Sequence, residues 1–294
     1  MSLLRPDLKL VECPRDAMQG IKKFIATEDK VRYINQLLQV GFDTLDFGSF
    51  VSPKAIPQMR DTAEVLEQLQ LDGTKTDLLS IIANERGAET AVQYERIKYL
   101  GYPFSISETF QIRNTNATID ESVERVSEIQ NLCVKNGKEL VVYISMGFGN
   151  PYGDPWNVDI VHQWTEKLVN LGVGILSLSD TIGVSNPQNI AYLFGNLVRE
   201  YPQIEFGAHL HTQPHNWQEK VVAAYQNGCR RFDGALKGYG GCPMAKDDLT
   251  GNMPTENMVS YFDSIGLDLG LDLAAFGKSM DIALQIFPQN PEHE

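Results

Sequence analysis

The chain has 294 residues, of which 43% are hydrophobic and 21% are charged. A chain of this length buries roughly three quarters of its unfolded surface, so its fold does not require disulfide bonds or a structural metal. The 25 Lys and Arg residues against 38 Asp and Glu residues give a net charge of −13, which argues against nucleic acid and anionic membranes as partners. An anionic substrate therefore needs a local cationic pocket.

The use of cysteine and of apolar residues indicates a cytoplasmic protein. The four cysteines form no C-x-x-C pair, which favours free thiols in a reducing compartment. We expect Cys13, Cys133 and Cys229 to be packing residues. No apolar run approaches the roughly 18 to 20 residues that a membrane span needs, and residues 1–9 are too few and too polar for a signal peptide.

Short aliphatic or β-branched runs alternate with longer segments of helical spacing as far as about residue 235. The runs predict eight strands, at residues 8–13, 43–47, 78–83, 104–106, 140–145, 175–179, 204–209 and 231–235. Segments with apolar residues at three- and four-residue intervals predict helices at residues 30–40, 62–69, 119–136, 158–170, 187–199 and 218–227.

Eight β-then-α units in this length favour an α/β fold of the (β/α)8 TIM-barrel type, with a doubly wound open sheet as the alternative. After the core barrel, at about residues 8–235, come a Gly-rich loop at residues 238–241 and helical patterns at residues 256–265 and 273–286. We interpret residues 236–294 as C-terminal additions packed on the barrel. Because no linker interrupts the pattern, we expect one domain over residues 1–294.

Polar side chains follow nearly every predicted strand, at the end where a TIM barrel carries its active site. The residues in question are Arg15, Asp16, Asp46, Ser49, Asn84, Ser107, Glu108, Asp180, Thr181, His209, His211, Cys242 and Asn252. Loops are polar in any protein, but that general tendency explains the whole set less well than a common active site at one end of the barrel does.

The sharpest local signal is the pair His209 and His211. Residues two apart on a strand project to the same face, so both imidazoles are available to one ion. Asp16 could add a carboxylate and Asn252 an amide oxygen, a mixture that leaves magnesium, manganese, iron and zinc open. The chain lacks the P-loop, G-x-S-x-G, H-E-x-x-H and G-x-G-x-x-G motifs, which argues against dinucleotide chemistry.

Several short motifs that the chain does contain resemble those of the 3-hydroxy-3-methylglutaryl-CoA lyase family. This family belongs to the wider group of metal-dependent lyase and acyltransferase barrels. The resemblance keeps its order over most of the chain and rests on Pro14-Arg15-Asp16 with Gln19, Ser49-Phe50-Val51-Ser52-Pro53-Lys54 with Pro57-Gln58-Met59, Ser179-Asp180-Thr181-Ile182-Gly183, His209-x-His211, Gly240-Gly241-Cys242-Pro243 and Gly251-Asn252. The G-G-C-P and S-F-V-S-P-K motifs narrow it to the lyase branch.

The resemblance implies cleavage of 3-hydroxy-3-methylglutaryl-CoA to acetyl-CoA and acetoacetate by a homodimer that uses Mg²⁺ or Mn²⁺. It implies that the metal ligands are Asp16, His209, His211 and Asn252. It also implies that Arg15 contacts the substrate and that Cys242 is the catalytic thiol.

The chemistry of such a cleavage fits these roles. A fixed cation, Arg15, would stabilise the thioester enolate, and a base, for which Asp180 and His209 are the candidates, would take the hydroxyl proton. A bound divalent ion acidifies that hydroxyl. The thiol of Cys242, on a glycine-hinged loop, would protonate the carbanion.

Asp46 stands where the family has Glu, and Thr212 where it commonly has Asp; both positions are close enough to the rim to alter selectivity. Two alternatives therefore stay open. One is a related aldolase or Claisen-type acyltransferase that acts on another hydroxyacyl-CoA or a 4-hydroxy-2-oxo acid. The other is a barrel without turnover that acts as a binding subunit.

Overall fold

A computed structural model describes residues 8–241 and 250–287 of the chain. In these ranges eight parallel strands close into a barrel, in which each strand pairs with the next and β8 pairs with β1. The strands are β1 (Lys9–Glu12), β2 (Thr44–Ser49), β3 (Asp77–Ile81), β4 (Ile97–Ser105), β5 (Glu139–Ser145), β6 (Ile175–Asp180), β7 (Glu205–Thr212) and β8 (Arg231–Gly234). The predicted (β/α)8 barrel is confirmed.

Helices surround the barrel. They are α1 (Pro14–Gln19), α2 (Thr27–Leu38), α3 (Thr62–Glu67), α4 (Glu85–Ala91), α5 (Glu108–Thr115), α6 (Ile119–Lys135), α7 (Val158–Asn170), α8 (Pro187–Glu200) and α9 (Trp217–Gln226). Short 3₁₀ turns lie at Pro57–Met59 and Leu236–Gly238. In the described part of the chain, no helix is both long enough and apolar enough to span a bilayer.

The strands separate two apolar layers. Val141 and Tyr143 of β5 point into the barrel, where they pack with Leu79, Tyr99 and Ile175. Their neighbours along the same strand, with the other strands' outward residues, belong to the larger core between the barrel and the helices. This alternation follows from the two-residue period of a strand. It also decides which polar residues at a strand end can face the barrel axis.

The C-terminal segment returns to the barrel at the C-terminal end of β7. A short strand, β9 (Gly251–Asn252), pairs antiparallel with β7, so that Asn252 lies opposite His211. The helices α10 (Thr255–Ser264) and α11 (Leu273–Ile286) then pack against α9 and α2. The predicted C-terminal additions are thus present, and they carry Asn252 to the site.

Candidate active site

Asp16, His209 and His211 converge at the C-terminal end of the barrel. Pro14 begins α1 directly after β1, and that helix places Asp16 over the barrel axis. His209 and His211 both lie in β7 and extend to the same face of the strand, with ring centroids 5.5 Å apart. One ligand atom from each of the three residues lies within 4.8 Å of the others. The sequence predicted this grouping of residues from two segments that are distant along the chain.

Asp16 is a buried carboxylate that is held ionised. Its Oδ1 accepts hydrogen bonds of 2.7 Å from Arg15 and from Gln19, and its Oδ2 accepts one of 2.7 Å from the Asn252 amide. Burial alone would raise its pKa, but the positive charge of Arg15, followed by the two histidines, lowers the pKa to about 2. The carboxylate therefore offers negative charge to an ion throughout the physiological pH range.

The two histidines have different electrostatic surroundings. Burial, followed by the neighbouring charge of His209, lowers the pKa of His211 to about 4, so its ring is neutral at pH 7. Burial also acts to lower the pKa of His209, but hydrogen bonding to Asp233 and the charge of that carboxylate raise it overall. The distance from His209 Nδ1 to Asp233 Oδ2 is 3.1 Å, which leaves Nε2 for the site.

Asn252 closes the site from the C-terminal segment. Its amide nitrogen donates to Asp16 and to the backbone oxygen of Tyr239, at 2.7 and 2.8 Å. With the nitrogen used in this way, the amide oxygen is the atom that remains for an ion. Asn252, the predicted fourth metal ligand, is thus hydrogen-bonded directly to the predicted ligand Asp16.

The donor set fits a divalent cation. Nδ1 of His211 is buried and lacks a hydrogen-bond partner within residues 8–241 and 250–287, an arrangement that is costly unless another group binds there. A carboxylate and an amide oxygen suit Mg²⁺ or Mn²⁺, whereas imidazole suits Zn²⁺ or iron. The four residues together would hold a divalent ion.

Arg15 and Asp46 form a buried ion pair beside this donor set. The Arg15 Nε donates to both carboxylate oxygens of Asp46, at 3.1 and 3.0 Å, and a terminal nitrogen makes a further bond. Burial acts to lower the pKa of Arg15, but Asp46 and Asp16 raise it overall, so the guanidinium stays charged. A fixed cation therefore lies beside the predicted metal ligands.

Asp180 does not join this group. It is the last residue of β6 and bonds to Lys220 of α9, at 2.8 Å, in an ion pair whose two side chains are fully buried. Its oxygens also accept from the backbone nitrogens of Val184 and Ser185 and from the Ser185 hydroxyl. All these partners lie in the loop after β6 or in the helix layer, so Asp180 braces that loop.

The predicted catalytic thiol, Cys242, lies outside the described residues. Asp233, in contrast, was missed by sequence reasoning, although its spacing from Arg231 in a predicted strand is a readable signal of a charged inward face. Cys13, His209 and Asp233 also have ligand atoms within 4.8 Å of one another, but in this group the histidine already bonds to the carboxylate.

Comparisons with known proteins show the family to which the chain belongs. The HMGL-like family model matches residues 8–282. A hydroxymethylglutaryl-CoA lyase of Bacillus subtilis is 32% identical over 260 residues, which cover 88% of this chain and 86% of that protein.

Solved structures of HMG-CoA lyases are similar to this chain in sequence and in fold. An HMG-CoA lyase of Bacillus subtilis has a TM-score of 0.90 at 30% identity, and the match covers 97% of this chain and 96% of that one. An HMG-CoA lyase of Acinetobacter baumannii, solved with coenzyme A and 3-methylmalate, has a TM-score of 0.87 at 30% identity and covers 97% and 93%. With its barrel and a family match over nearly the whole length, the chain belongs to the HMGL-like family.

Proposed function

We propose that this protein is a divalent-metal-dependent carbon–carbon lyase that cleaves 3-hydroxy-3-methylglutaryl-CoA to acetyl-CoA and acetoacetate. The observation that carries the proposal is the convergence of Asp16, His209 and His211 within 4.8 Å of one another, beside the Arg15 guanidinium. Relatives that are 30–32% identical carry the name of this lyase.

The ion proposed for this site is Mg²⁺ or Mn²⁺. Such an ion supplies Lewis-acid polarisation of the substrate's tertiary hydroxyl. The chain's own residues orient the reactants: Arg15 is held rigidly by Asp16 and Asp46, so its charge is in place when negative charge develops on the thioester oxygen. No reorganisation of the guanidinium is then needed at the moment of reaction.

The hydroxyl proton needs an acceptor. Of the two candidates, Asp180 is bonded to Lys220, whereas Nε2 of His209 faces the ligand group, so we assign the proton to His209. Asp233 would stabilise the imidazolium that forms. Because one nitrogen cannot bind an ion and accept a proton at the same moment, the ligand and base roles of His209 differ in the effect that a His209 substitution has on Mn²⁺ affinity.

A rim of positive charge supports an acyl-CoA substrate for this acidic chain. Lys22, Lys23, Lys54 and Arg60 are exposed on the loops that follow β1 and β2. Gln58 joins these loops, since its amide nitrogen donates to the backbone oxygen of Lys23 at 2.9 Å. The phosphates of CoA need such a cationic region, and the average field of the protein does not provide one.

Two departures from the family pattern do not favour another substrate. Asp46 is shorter than the Glu of the family, yet it still binds Arg15 through both oxygens. Thr212 is buried against β9, where its hydroxyl donates to the backbone oxygen of Asn252 at 3.4 Å. The substrates of the related aldolases and acyltransferases are therefore comparison compounds in a substrate screen.

Release of acetoacetate tests the proposal. Purified protein with Mg²⁺ or Mn²⁺ and a thiol reductant should form acetoacetate and acetyl-CoA in equal amounts. We expect Cys242→Ala to lose turnover, whereas Cys133→Ala, which changes a buried cysteine of α6, should keep it. Absence of acetoacetate under every metal and reductant condition, with product from another hydroxyacyl-CoA or a 4-hydroxy-2-oxo acid, would refute it.

The assembly and compartment form part of the same proposal. We propose a homodimer of single-domain subunits over residues 1–294 in the cytoplasm. Three of the cysteines are buried free thiols, as a reducing compartment permits. Light scattering after size exclusion should give twice the mass of one chain, which is 32.9 kDa.

A further inference from the structure

A buried carboxylate lies directly behind His209. Asp233 belongs to β8, whose residue Phe232 pairs with Ala208 of β7, so that the following residues on the two strands are neighbours. The side chain of Asp233 is fully buried, and its Oδ2 lies 3.1 Å from His209 Nδ1. An ionised carboxylate only accepts hydrogen bonds, so the proton in this contact belongs to Nδ1.

A cation lies below this carboxylate, deeper in the barrel. Arg231 is two residues earlier on β8 and therefore shares the inward face with Asp233. The Arg231 guanidinium is completely buried and uses one terminal nitrogen to bind Glu205, at 3.1 Å, near the opposite end of the barrel. Of the charges that raise its pKa against the effect of burial, Asp233 is the largest.

Several polar atoms around these two residues are buried and have no hydrogen-bond partner in the described part of the barrel. They are Oδ1 of Asp233, Nε and a second terminal nitrogen of Arg231, the Tyr143 hydroxyl and the Ser177 hydroxyl. The set contains donors from Arg231, an acceptor from Asp233 and two hydroxyls that can do either. Buried polar groups of complementary kind are normally joined by ordered water.

We propose that Asp233 is a positioning residue that holds His209 in the Nδ1–H tautomer, and that buried water joins the second oxygen of Asp233 to Arg231. In that tautomer the lone pair of Nε2 faces Asp16 and His211, as both metal ligation and proton acceptance require. The consequence for the ion rests on the proposed function, whereas the tautomer itself does not.

The contrast with His211 supports a specific role for this carboxylate. Both imidazoles come from the same strand and face the same site, but among the residues that the structure describes only His209 has a carboxylate hydrogen-bonded to Nδ1. A carboxylate that merely balanced Arg231 would not need to reach the ring nitrogen. Asp233 instead divides its two oxygens, with Oδ2 on His209 and Oδ1 left for the buried polar cluster.

Imidazole nitrogen NMR on the metal-free protein tests the tautomer directly. At a pH above the pKa of His209, we expect the wild-type spectrum to show the proton on Nδ1, with the signal assigned by its loss in His209→Gln. In Asp233→Asn the new amide can donate to Nδ1, so the proton should move to Nε2. A wild-type ring protonated on Nε2 would overturn the proposal without any Asp233 variant, as would an unchanged tautomer in folded Asp233→Asn.

Metal binding provides the second readout. Titration calorimetry with Mn²⁺ should show affinity about 10- to 100-fold weaker in Asp233→Asn than in the wild type, as is usual when an outer partner of a ligand is lost. Asp77→Asn is the control, because Asp77 pairs with Lys98 at the other end of the barrel and should leave Mn²⁺ affinity unchanged. Equal Mn²⁺ affinity in wild type and Asp233→Asn would overturn the positioning role. Failure to release acetoacetate would refute the proposed function but leave the tautomer result standing.

Discussion

Arg15 donates hydrogen bonds to both carboxylate oxygens of Asp46, and a separate nitrogen of the same guanidinium donates to Asp16. One planar guanidinium thus connects a predicted metal ligand to Asp46, inside the neighbouring strand β2, with all three side chains buried. Such a fork gives more geometric control than a point charge can, because each of its donors has a fixed direction. The charge is therefore fixed in place before any substrate arrives.

Arg15→Lys should lower kcat/KM for the thioester substrate by about 100-fold, since a lysine keeps the charge but cannot bind both carboxylates in this way. Steady-state kinetics with a saturating metal ion measures the change. Arg96→Lys is a matched control, because Arg96 pairs with Asp72 on the exposed surface. If the two variants lost activity equally, the buried fork would have no special role.

The metal site yields a prediction that separates ligation from proton acceptance. His211→Ala should weaken Mn²⁺ binding by at least about 100-fold, because even loss of an outer partner costs about 10- to 100-fold. We expect His209→Gln to weaken it comparably if the histidine is a ligand. Lost turnover with unchanged Mn²⁺ affinity would leave only the base role. Titration calorimetry measures both affinities, with the exposed His215→Ala as control.

The sequence predicted the barrel well because its signal is local and repeated. Where it fell short, either the missing information was long-range or the element was too short to show a pattern. The strand predicted to stop at residue 209 continues to Thr212, since β9 pairs with it from forty residues away and extends the ladder. The helix α1 was not predicted, because a six-residue helix is too short to show an apolar period.

For the site, strand ends were easier to predict than side-chain directions. Asp16, His209, His211 and Asn252 come together as the motifs indicated. Asp180 also ends a strand, but its partner is Lys220 in the helix layer, and the sequence does not reveal a buried cation so distant along the chain. The alternation rule would have placed it correctly, since its neighbour Ser179 has the inward parity.

The Asp180–Lys220 pair should act on stability more than on catalysis. Each single change, Asp180→Asn or Lys220→Met, leaves its former partner buried and poorly satisfied, at a cost of about 3–5 kcal/mol in the free energy of unfolding. The double variant should be more stable than the sum of the single effects predicts. Urea unfolding of the four proteins gives the coupling energy.

Kinetics of the same variants test whether Asp180 is the base. We expect folded Asp180→Asn to keep the pH profile of kcat, because the carboxylate does not face the ligand group. Loss of the acidic limb of that profile, where a general base becomes protonated, in a protein of normal stability would contradict the structure's placement of Asp180. A coupling energy near zero would show that the buried pair is not formed.

Glu12 is a buried carboxylate on the outward face of β1. It accepts hydrogen bonds from the Leu236 backbone nitrogen, at 2.8 Å, and from the Thr255 hydroxyl, at 2.5 Å, and so ties down both ends of the segment that carries Asn252. Burial raises its pKa from an ordinary 4.5 to about 8, although these hydrogen bonds oppose the shift.

A raised acidic pKa means that the folded state binds the proton more tightly than the unfolded state does. Between about pH 4.5 and pH 8 the unfolded chain has lost this proton and the folded chain keeps it, so Glu12 makes stability fall as pH rises.

The variant Glu12→Gln retains a hydrogen-bond acceptor without the charge. The free energy of unfolding of this variant should match that of the wild type near pH 4.5 and exceed it at pH 8.5, by up to about 5 kcal/mol. Urea unfolding across this range measures the difference, with the exposed Glu219→Gln as control. Wild-type and Glu12→Gln curves that ran parallel from pH 4.5 to 8.5 would mean that Glu12 is ionised in the folded protein, as it is in the unfolded chain.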